Sequence, residues 1–377
     1  MNILIAGDFA PMARLAKMME GKLFPEVFPK GLRDVIKSAD YSLVNFESPV
    51  VEEGYKPIPK CGPNLKCPAE AAEAVRYAGF TGVTLANNHI LDYGEEGLRR
   101  TVECCRNQGL DVVGVGDNLE DAGKVLYLNK DGETLAVINC CEHEFSIATD
   151  TAAGANPLNP VRQFYRIREA KVHADHVLVI VHGGHEHFRL PSLRMVETYR
   201  FFIDAGADAV VNHHQHCYSG YEVYDGKPIF YGLGNFCFDD ESLRNCFWNQ
   251  GYMVALDFSN GAIGFAIYPY SQCNKTASVE LLHGEDLKEF EKELGALNHI
   301  ICDQALLNER LRTYYEKCSE GELSILEPYG SRVSRKLHTL GLLPSFIKGR
   351  KLASVLNHIG CESHRDKMLF ALNQKNI

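Results

Sequence analysis

Residues 207–216, near the middle of the chain, have the sequence ADAVVNHHQH. The first half is largely apolar and predicts a buried strand, and the second half places three histidines just beyond the strand end. In a turn at that point, His214 and His216 can face a common centre. The alternative is that these histidines are structural, but three imidazoles packed in a core would each need a separate hydrogen-bond partner. The pattern therefore favours metal ligation.

Four other apolar stretches also end in residues that offer oxygen or nitrogen ligands. These endings are Gly7-Asp8 after NILIA, Asn45-Phe46-Glu47 after YSLV, Asn87-Asn88-His89 after VTLA, and His182-Gly183-Gly184-His185-Glu186 after HVLVIV. One such ending is weak evidence, because Asp8 alone could equally serve as a helix N-cap. The carboxyl ends of the strands in an open α/β sheet, however, share one edge, and ligands bind there. Five endings of this kind predict a single shared site.

Helical patterns fill the gaps between these strands. They cover residues 68–77, 95–107, 161–172 and 191–205. The alternation of strands and helices predicts a layered α/β fold. The closely spaced apolar stretches 228–232, 252–257 and 262–268 predict three strands that run antiparallel to one another. We place a domain boundary near residue 275, which separates an α/β domain, 1–275, from a helical extension, 276–377.

The composition is typical of an enzyme of the cell interior. The chain has 377 residues, 45% of them apolar and 23% charged, enough for one large domain and an appendage. It contains no apolar run of about 18 residues, and its first strand begins without a basic, apolar leader. The 13 cysteines have no CxxC spacing, which favours reduced thiols. We therefore expect a cytoplasmic protein without a signal peptide or transmembrane segment.

Charge is distributed unevenly along the chain. Residues 331–377 contain nine Lys or Arg and two Asp or Glu, a net charge of +7, so the total of −10 leaves −17 on the first 330 residues. Apolar residues recur at helical spacing between the basic ones. This tail is either a helix that packs on the main body with a solvated basic face, or a peripheral surface for anionic lipid or polyanion. The acidic body argues against nucleic-acid binding.

Six motifs in residues 1–260 resemble, in the same order, those of the capsule-synthesis protein A (CapA) family, which is linked to poly-gamma-glutamate capsule synthesis. They are Gly7-Asp8, Asn45-Phe46-Glu47, LANNH at 85–89 with Asp92-Tyr93-Gly94, His182-Gly183-Gly184 with Glu186, residues 204–216, and KPIFYGLGNF at 227–236. The resemblance implies a calcineurin-like metallophosphoesterase fold, in which two sheets flanked by helices form a sandwich with a two-metal site at the strand ends.

The resemblance also implies a role for individual residues. By this resemblance, one ion would be bound by Asp8 and His216, and the other by Asn88, His182 and His214. Glu47 would stand at the position of the carboxylate that bridges the two ions. His89 would be the proton donor or transition-state stabiliser, and Asp92 would orient His89.

The expected chemistry needs these residue types. Two divalent ions about 3.5–4 Å apart repel each other, and a bridging carboxylate such as Glu47 offsets that repulsion. Mixed nitrogen and oxygen ligands favour Mn, Fe or Zn over Mg or Ca. The chain departs from the wider superfamily at Ala10, where a second histidine ligand would be expected, and at Glu47, which is longer than the usual aspartate.

Three further residues are candidates for substrate binding. His185 and Glu186 follow His182 closely, although an exposed loop glutamate needs no role. Asn235 ends a glycine-containing segment that allows close backbone approach to a ligand, and a plain glycine turn explains that segment nearly as well.

Two functions are compatible with these features. The first is a metal-dependent, phosphoesterase-like hydrolase that acts on an anionic small molecule or polymer in capsule, poly-gamma-glutamate or cell-envelope synthesis. The second is a non-catalytic or weakly metal-binding accessory role in capsule polymer synthesis, which the missing ligand at Ala10 would favour. No Gly-x-x-x-x-Gly-Lys phosphate loop is present, which argues against an ATP-dependent ligase.

Overall fold

The computed structural model describes residues 1–259 and 263–374 and divides the chain into two compact units, Met1–Gln304 and Ala305–Ile377. The first unit extends beyond the boundary predicted near residue 275, because a strand at Val279–Leu281 pairs with the main sheet and the helix after it buries Phe290, Leu294 and Leu297. No helix of the described residues combines the length and apolar character needed to cross a membrane.

The strands of the first unit are β1 (Asn2–Ala10), β2 (Tyr41–Phe46), β3 (Gly82–Thr84), β4 (Asp111–Val113), β5 (Val115–Gly116), β6 (Leu126–Lys130), β7 (Glu133–Cys141), β8 (Gly154–Ala155), β9 (His176–His182), β10 (Ala209–His213), β11 (Tyr221–Tyr224), β12 (Lys227–Phe230), β13 (Asn235–Phe238), β14 (Gln250–Asp257), β15 (Gly264–Gln272) and β16 (Val279–Leu281).

The helices are α1 (Arg14–Glu20), α2 (Phe24–Val27), α3 (Lys30–Lys37), α4 (Glu70–Ala78), α5 (Gly94–Asn107), α6 (Leu119–Ala122), α7 (Pro160–His173), α8 (Leu193–Ala205), α9 (Gly284–Cys302), α10 (Gln304–Ile325), α11 (Arg332–Thr339), α12 (Gly349–Gly360) and α13 (Glu362–Asn373). Among them, α4, α5, α7 and α8 lie where helices are predicted from sequence.

Two large sheets form the frame of the first unit. One has the strand order β16-β15-β14-β1-β2-β3-β4, with β13 also paired to β1, and the other has the order β11-β12-β10-β9-β7-β6. The pairs β1–β2, β2–β3, β7–β9 and β9–β10 are parallel, so their carboxyl ends share an edge within each sheet. The layered α/β fold with two sheets, flanking helices and C-terminal helices is thus confirmed.

Two of the three strands predicted to be antiparallel, β14 and β15, pair in that way in the first sheet. The prediction is wrong for the third, because β12 lies in the second sheet, where it is parallel to β10 and antiparallel to β11. The pair β14–β15 runs from Gln250 opposite Ser271 to Asp257 opposite Gly264. Ala262, where we predicted that the last of these strands begins, lies outside the described residues.

Local sequence explains how the helices beside the second sheet begin. The Asn159 side chain accepts hydrogen bonds from the backbone N–H groups of Val161 and Arg162 at the start of α7, and Pro160 occupies the first helical position. Ser192 caps α8 by accepting from the Met195 N–H. Such caps satisfy amide groups that have no partner within the helix.

The interior of β9 is apolar on both faces and buried from Val177 to His182. A strand that is covered on both faces has a continuous apolar run, which is typical of a parallel sheet under helices. Strand β1 is buried in the same way from Ile3 to Ala10. These two strands carry Asp8 and His182 into the interior.

The described residues of the second unit form helices joined by short connections. The buried Glu327 carboxylate accepts a hydrogen bond from the backbone N–H of Phe346 at 2.9 Å, and the chain then enters α12. The helical character predicted for the C-terminal extension is present in α10 to α13.

Candidate metal centre

Asp8 occupies a central position among the strand ends. In the pairing register it lies opposite Asn45 of β2 on one side and Asn235 of β13 on the other. Both pairings shift register beside Asp8, and such irregularities re-aim side chains. The Asn45 amide donates to one Asp8 oxygen at 2.8 Å, and the backbone N–H of His214 donates to the other at 3.2 Å.

The histidine turn after β10 has an unusual backbone conformation. His214 and His216 have φ values of 92° and 55°, in the region that favours glycine. Non-glycine residues in this region cost free energy and cluster at functional sites. His213 points elsewhere, since its Nε2 lies 2.9 Å from the backbone oxygen of Ala6. The turn therefore presents two of its three imidazoles to the site.

The first ligand group consists of Asp8, Glu47 and His216, whose ligand atoms all lie within 4.8 Å of one another. His216 Nδ1 is 3.6 Å from Asp8 Oδ2, and His216 Nε2 is 3.7 Å from Glu47 Oε1. Ligands held roughly 2.1 Å from one ion are separated by roughly 3 to 4 Å. The three residues therefore fit a single cation.

The second ligand group consists of Glu47, His182 and His214. His182 Nε2 lies 3.8 Å from Glu47 Oε1, 3.1 Å from His214 Nδ1 and 3.0 Å from the Asn88 amide oxygen. Asn88 therefore joins this group as a fourth candidate ligand. The two groups share Glu47, so all six residues predicted as ligands lie together.

Glu47 provides the test of whether a metal fits. Its side chain is buried, and neither carboxylate oxygen has a hydrogen-bond partner among the described residues. A buried carboxylate without hydrogen bonds is costly unless a cation offsets its charge. Divalent ions in the two groups would supply that charge, so the donor set fits a metal centre.

The electrostatics of the site point in the same direction. Burial raises the pKa of Asp8 from 3.8 to about 7, and burial together with the charge of Asp8 raises the pKa of Glu47 well above its usual value. Burial and the nearby His214 lower the pKa of both His182 and His216. The histidines are therefore neutral, which is the form that binds metals, whereas the carboxylates need a cation to stay ionised.

His89 lies beside Glu47, the residue that the two ligand groups share. Its Nδ1 lies 2.6 Å from Asp92 Oδ2, and its Nε2 lies 4.0 Å from Glu47 Oε1. Asp92 is thus placed to hold the His89 ring with Nε2 toward the centre. The catalytic role of the pair remains a prediction.

Sequence reasoning missed Lys60. Its ammonium pairs with Asp92 and lies 3.1 Å from His89 Nδ1, and its side chain is 2% exposed. The backbone N–H of Leu65 also donates to Asp92, at 2.6 Å. Lys60 lies in a loop with several lysines and prolines, and no local feature of that loop distinguishes it.

Two other residues beside the centre were also missed. The Glu144 carboxylate accepts from the Asn88 side chain at 3.1 Å and lies 3.7 Å from His214 Nε2. Its signal was present, because it closely follows the end of β7 at Cys141. Asn45 bridges Asp8 and His182, with its nitrogen 3.3 Å from His182 Nδ1. It lies in a predicted strand ending, where only Glu47 was selected.

The residues predicted to bind substrate have different surroundings. Asn235 is buried with its amide oxygen 2.9 Å from His216 Nδ1, so it supports a candidate ligand. Glu186 lines a cleft of about 850 Å³ together with Lys60, His89 and Trp248. His185 is half-buried, with its ring 6.4 Å from that of Phe188. Their roles toward a substrate remain predictions.

Position 10 lacks a metal ligand, as the sequence indicates. Ala10 is fully buried and packs in an apolar cluster with Leu65, Phe238 and Trp248. The space beside β1 where a second histidine was expected is therefore lined by apolar side chains.

Comparisons with known proteins identify a family and relatives that this chain resembles. Residues 2–240 match the family described as bacterial capsule synthesis protein PGA_cap. The chain is 34% identical over 247 residues to the capsule biosynthesis protein CapA of Bacillus anthracis and 35% identical over 237 residues to the PGA biosynthesis protein CapA of Bacillus subtilis strain 168. These matches cover 63% and 62% of this chain and 60% and 62% of the two relatives, so the chain spans about three-fifths of their length.

Among solved structures, the 5'-nucleotidase precursor from Thermus thermophilus is similar, with a TM-score of 0.43 and 13% sequence identity. The superposition covers 78% of this chain and 58% of that one.

Proposed function

The chain belongs to the bacterial capsule synthesis protein PGA_cap family, and from this premise we propose that it is a metal-dependent, phosphoesterase-like hydrolase. Its substrate would be an anionic small molecule or polymer in capsule, poly-gamma-glutamate or cell-envelope synthesis.

The observation that carries this proposal is the position of Glu47. It is buried, its two oxygens have no hydrogen-bond partner among the described residues, and it belongs to both ligand groups. A structural glutamate would be expected to form hydrogen bonds, because buried polar groups are rarely left unpaired. A shared carboxylate between two cations is, by contrast, the arrangement that two-metal hydrolases need.

Divalent ions bound in these groups would act as Lewis acids on a phosphate ester. Mn, Fe or Zn would suit the nitrogen and oxygen donors better than Mg or Ca. His89 would donate a proton to the leaving oxygen from Nε2, because Asp92 engages Nδ1. The cleft of about 850 Å³ beside His89 would admit the substrate.

One observation favours the second candidate, a non-catalytic or weakly metal-binding accessory protein in capsule polymer synthesis. The apolar packing of Ala10 leaves the first ligand group with Asp8, Glu47 and His216. An ion held there by fewer protein ligands would bind more weakly. The protein would then hold a phosphorylated intermediate or the polymer without turning it over.

The experiment that separates the candidates combines metal analysis with turnover of an aryl phosphate and a broad panel of phosphate compounds. The chain is loaded with Mn²⁺ and compared with Glu47→Gln, His214→Ala and the control Glu197→Gln, an exposed glutamate on α8. Turnover that persists in the control and is lost in the other two variants supports the hydrolase. Stoichiometric metal without turnover on the whole panel supports the accessory role.

A further inference from the structure

Glu186 lies in the loop between β9 and α8, and this loop is hydrogen-bonded to the histidine turn. The backbone N–H of Gly183 donates to the oxygen of His213 at 3.2 Å, and that of His187 donates to the oxygen of Gln215 at 2.9 Å. These bonds hold the two loops together on both sides of Glu186. Its position near the turn is therefore set by backbone contacts, although its side chain is exposed.

The Glu186 carboxylate forms a third ligand group with His214 and His216, and the ligand atoms of the three residues lie within 4.8 Å of one another. This group takes one histidine from each of the two groups that share Glu47. Glu47 approaches the histidines from the buried interior, whereas Glu186 approaches them from the cleft. The two carboxylates therefore enclose the same pair of imidazoles from opposite environments.

The first ligand group has few protein ligands, and Glu186 lies within ligand distance of one of them, His216. The first group has Asp8, Glu47 and His216, and Ala10 contributes only a methyl group to an apolar cluster. Divalent ions such as Mn²⁺ have room for further oxygen ligands beyond three. A carboxylate from the cleft side can reach His216 without any change in the core.

We propose that Glu186 is a metal ligand, which binds from the cleft side and replaces the histidine that is missing at position 10. This inference rests on the metal centre of the proposed function and deepens it, because it makes one ligand of the centre solvent-facing. It gives Glu186 a role other than the substrate contact expected from sequence.

Trp248 allows this proposal to be tested without an activity assay. It is the single tryptophan of the chain, and its ring centroid lies 5.1 Å from that of His216. Binding of the paramagnetic ion Mn²⁺ near His216 should therefore change its fluorescence. Equilibrium dialysis with metal analysis gives the number of bound ions independently.

The test titrates Mn²⁺ into the full chain, Glu186→Gln and the control Glu197→Gln, with His216→Ala as the variant that must lose binding. Glu186→Gln should raise the dissociation constant of the weaker ion at least tenfold, because losing even a residue that supports a ligand typically costs 10- to 100-fold in affinity. Glu197→Gln removes the same charge from an exposed site and should match the native chain. Because Glu186 is exposed, its replacement by glutamine should leave the fold intact, so misfolding would not account for a weaker Mn²⁺ affinity.

The outcomes separate this inference from the function on which it rests. If the native chain binds two ions and Glu186→Gln binds both with native constants, the role of Glu186 is refuted and the metal centre stands. If the native chain binds no Mn²⁺ and no other divalent transition metal, the proposed function and this inference both fail. A weakened affinity that Glu197→Gln shares to the same extent would be a general charge effect and would also overturn the inference.

Discussion

Replacing Lys60 by methionine tests the organisation of the cleft most directly. The Lys60 and Asp92 side chains are 2% and 0% exposed, and they form an ion pair. Methionine keeps the apolar stem of the side chain but removes its charge. The Asp92 carboxylate would then be buried without its counter-ion.

The magnitude follows from the partners that Asp92 retains. Removing one partner of a buried ion pair typically costs about 3–5 kcal/mol, because the remaining charge is left uncompensated. Asp92 would still accept the Leu65 N–H at 2.6 Å and contact His89 Nδ1 at 2.6 Å. We therefore expect the free energy of unfolding to fall by about 3 kcal/mol, at the lower end of that range.

Urea unfolding, monitored by the fluorescence of Trp248, measures this fall in the free energy of unfolding. Trp248 lines the same cleft as Lys60. Lys66→Met is the matched control, since it makes the same substitution at an exposed position of the same loop. The double variant Lys60→Met/Asp92→Asn should recover part of the loss, because no buried charge is left unpaired. If Lys60→Met and Lys66→Met have the same unfolding midpoint, the reasoning about the buried pair is refuted.

Three further predictions concern the centre, the sheet and the tail. The folded-state pKa of Asp8, about 7, exceeds its ordinary value of 3.8, so the contribution of Asp8 to the stability of the metal-free protein is full below pH 3.8 and is lost as the pH rises through 7. Melting temperatures in EDTA should therefore fall more steeply toward pH 7 in the native chain than in Asp8→Asn, and saturating Mn²⁺ should remove this decline from the native chain. Gly7→Ala should lower the free energy of unfolding by about 2 kcal/mol or more, because the added Cβ would lie 1.9 Å from the Gly234 oxygen. The control Gly31→Ala meets no atom within 4 Å and lies in α3, so urea unfolding should show no loss of stability and a gain of at most about 1 kcal/mol. The tail at 331–377 carries a charge of +7, and one of its two proposed roles is contact with anionic membranes. In that role, the full chain should sediment with anionic but not with neutral vesicles, and high salt should release it. Equal sedimentation with both kinds of vesicle would contradict a charge-driven contact.

The fold was predictable because its signals are local in sequence. The apolar run of β9 lies within one short segment, and the capping residues Asn159 and Ser192 accept hydrogen bonds from amides two or three positions further along the chain. The boundary of the first unit was less predictable. The short strand β16 becomes part of the sheet only through its pairing with β15, which sequence periodicity does not encode.

Candidate ligands were predictable for a related reason, since each lies within four residues of the end of a strand. Asp8 and His182 are placed by strand geometry, and parallel pairing brings such endings to a shared edge. Lys60 was not predictable in this way. Its partner Asp92 is 32 residues away, beyond α4 and β3, and no local pattern links the two residues.

Local sequence patterns establish which residue types stand at the strand ends, because apolar periodicity and turn-forming residues act over short distances. Only the folded chain establishes which of these residues face one another. It places Glu47 in both ligand groups and Glu186 on the cleft side of His214 and His216. It also places Lys60 against Asp92. Those contacts depend on how two sheets and their loops pack together, and that packing is a property of residues far apart in the chain.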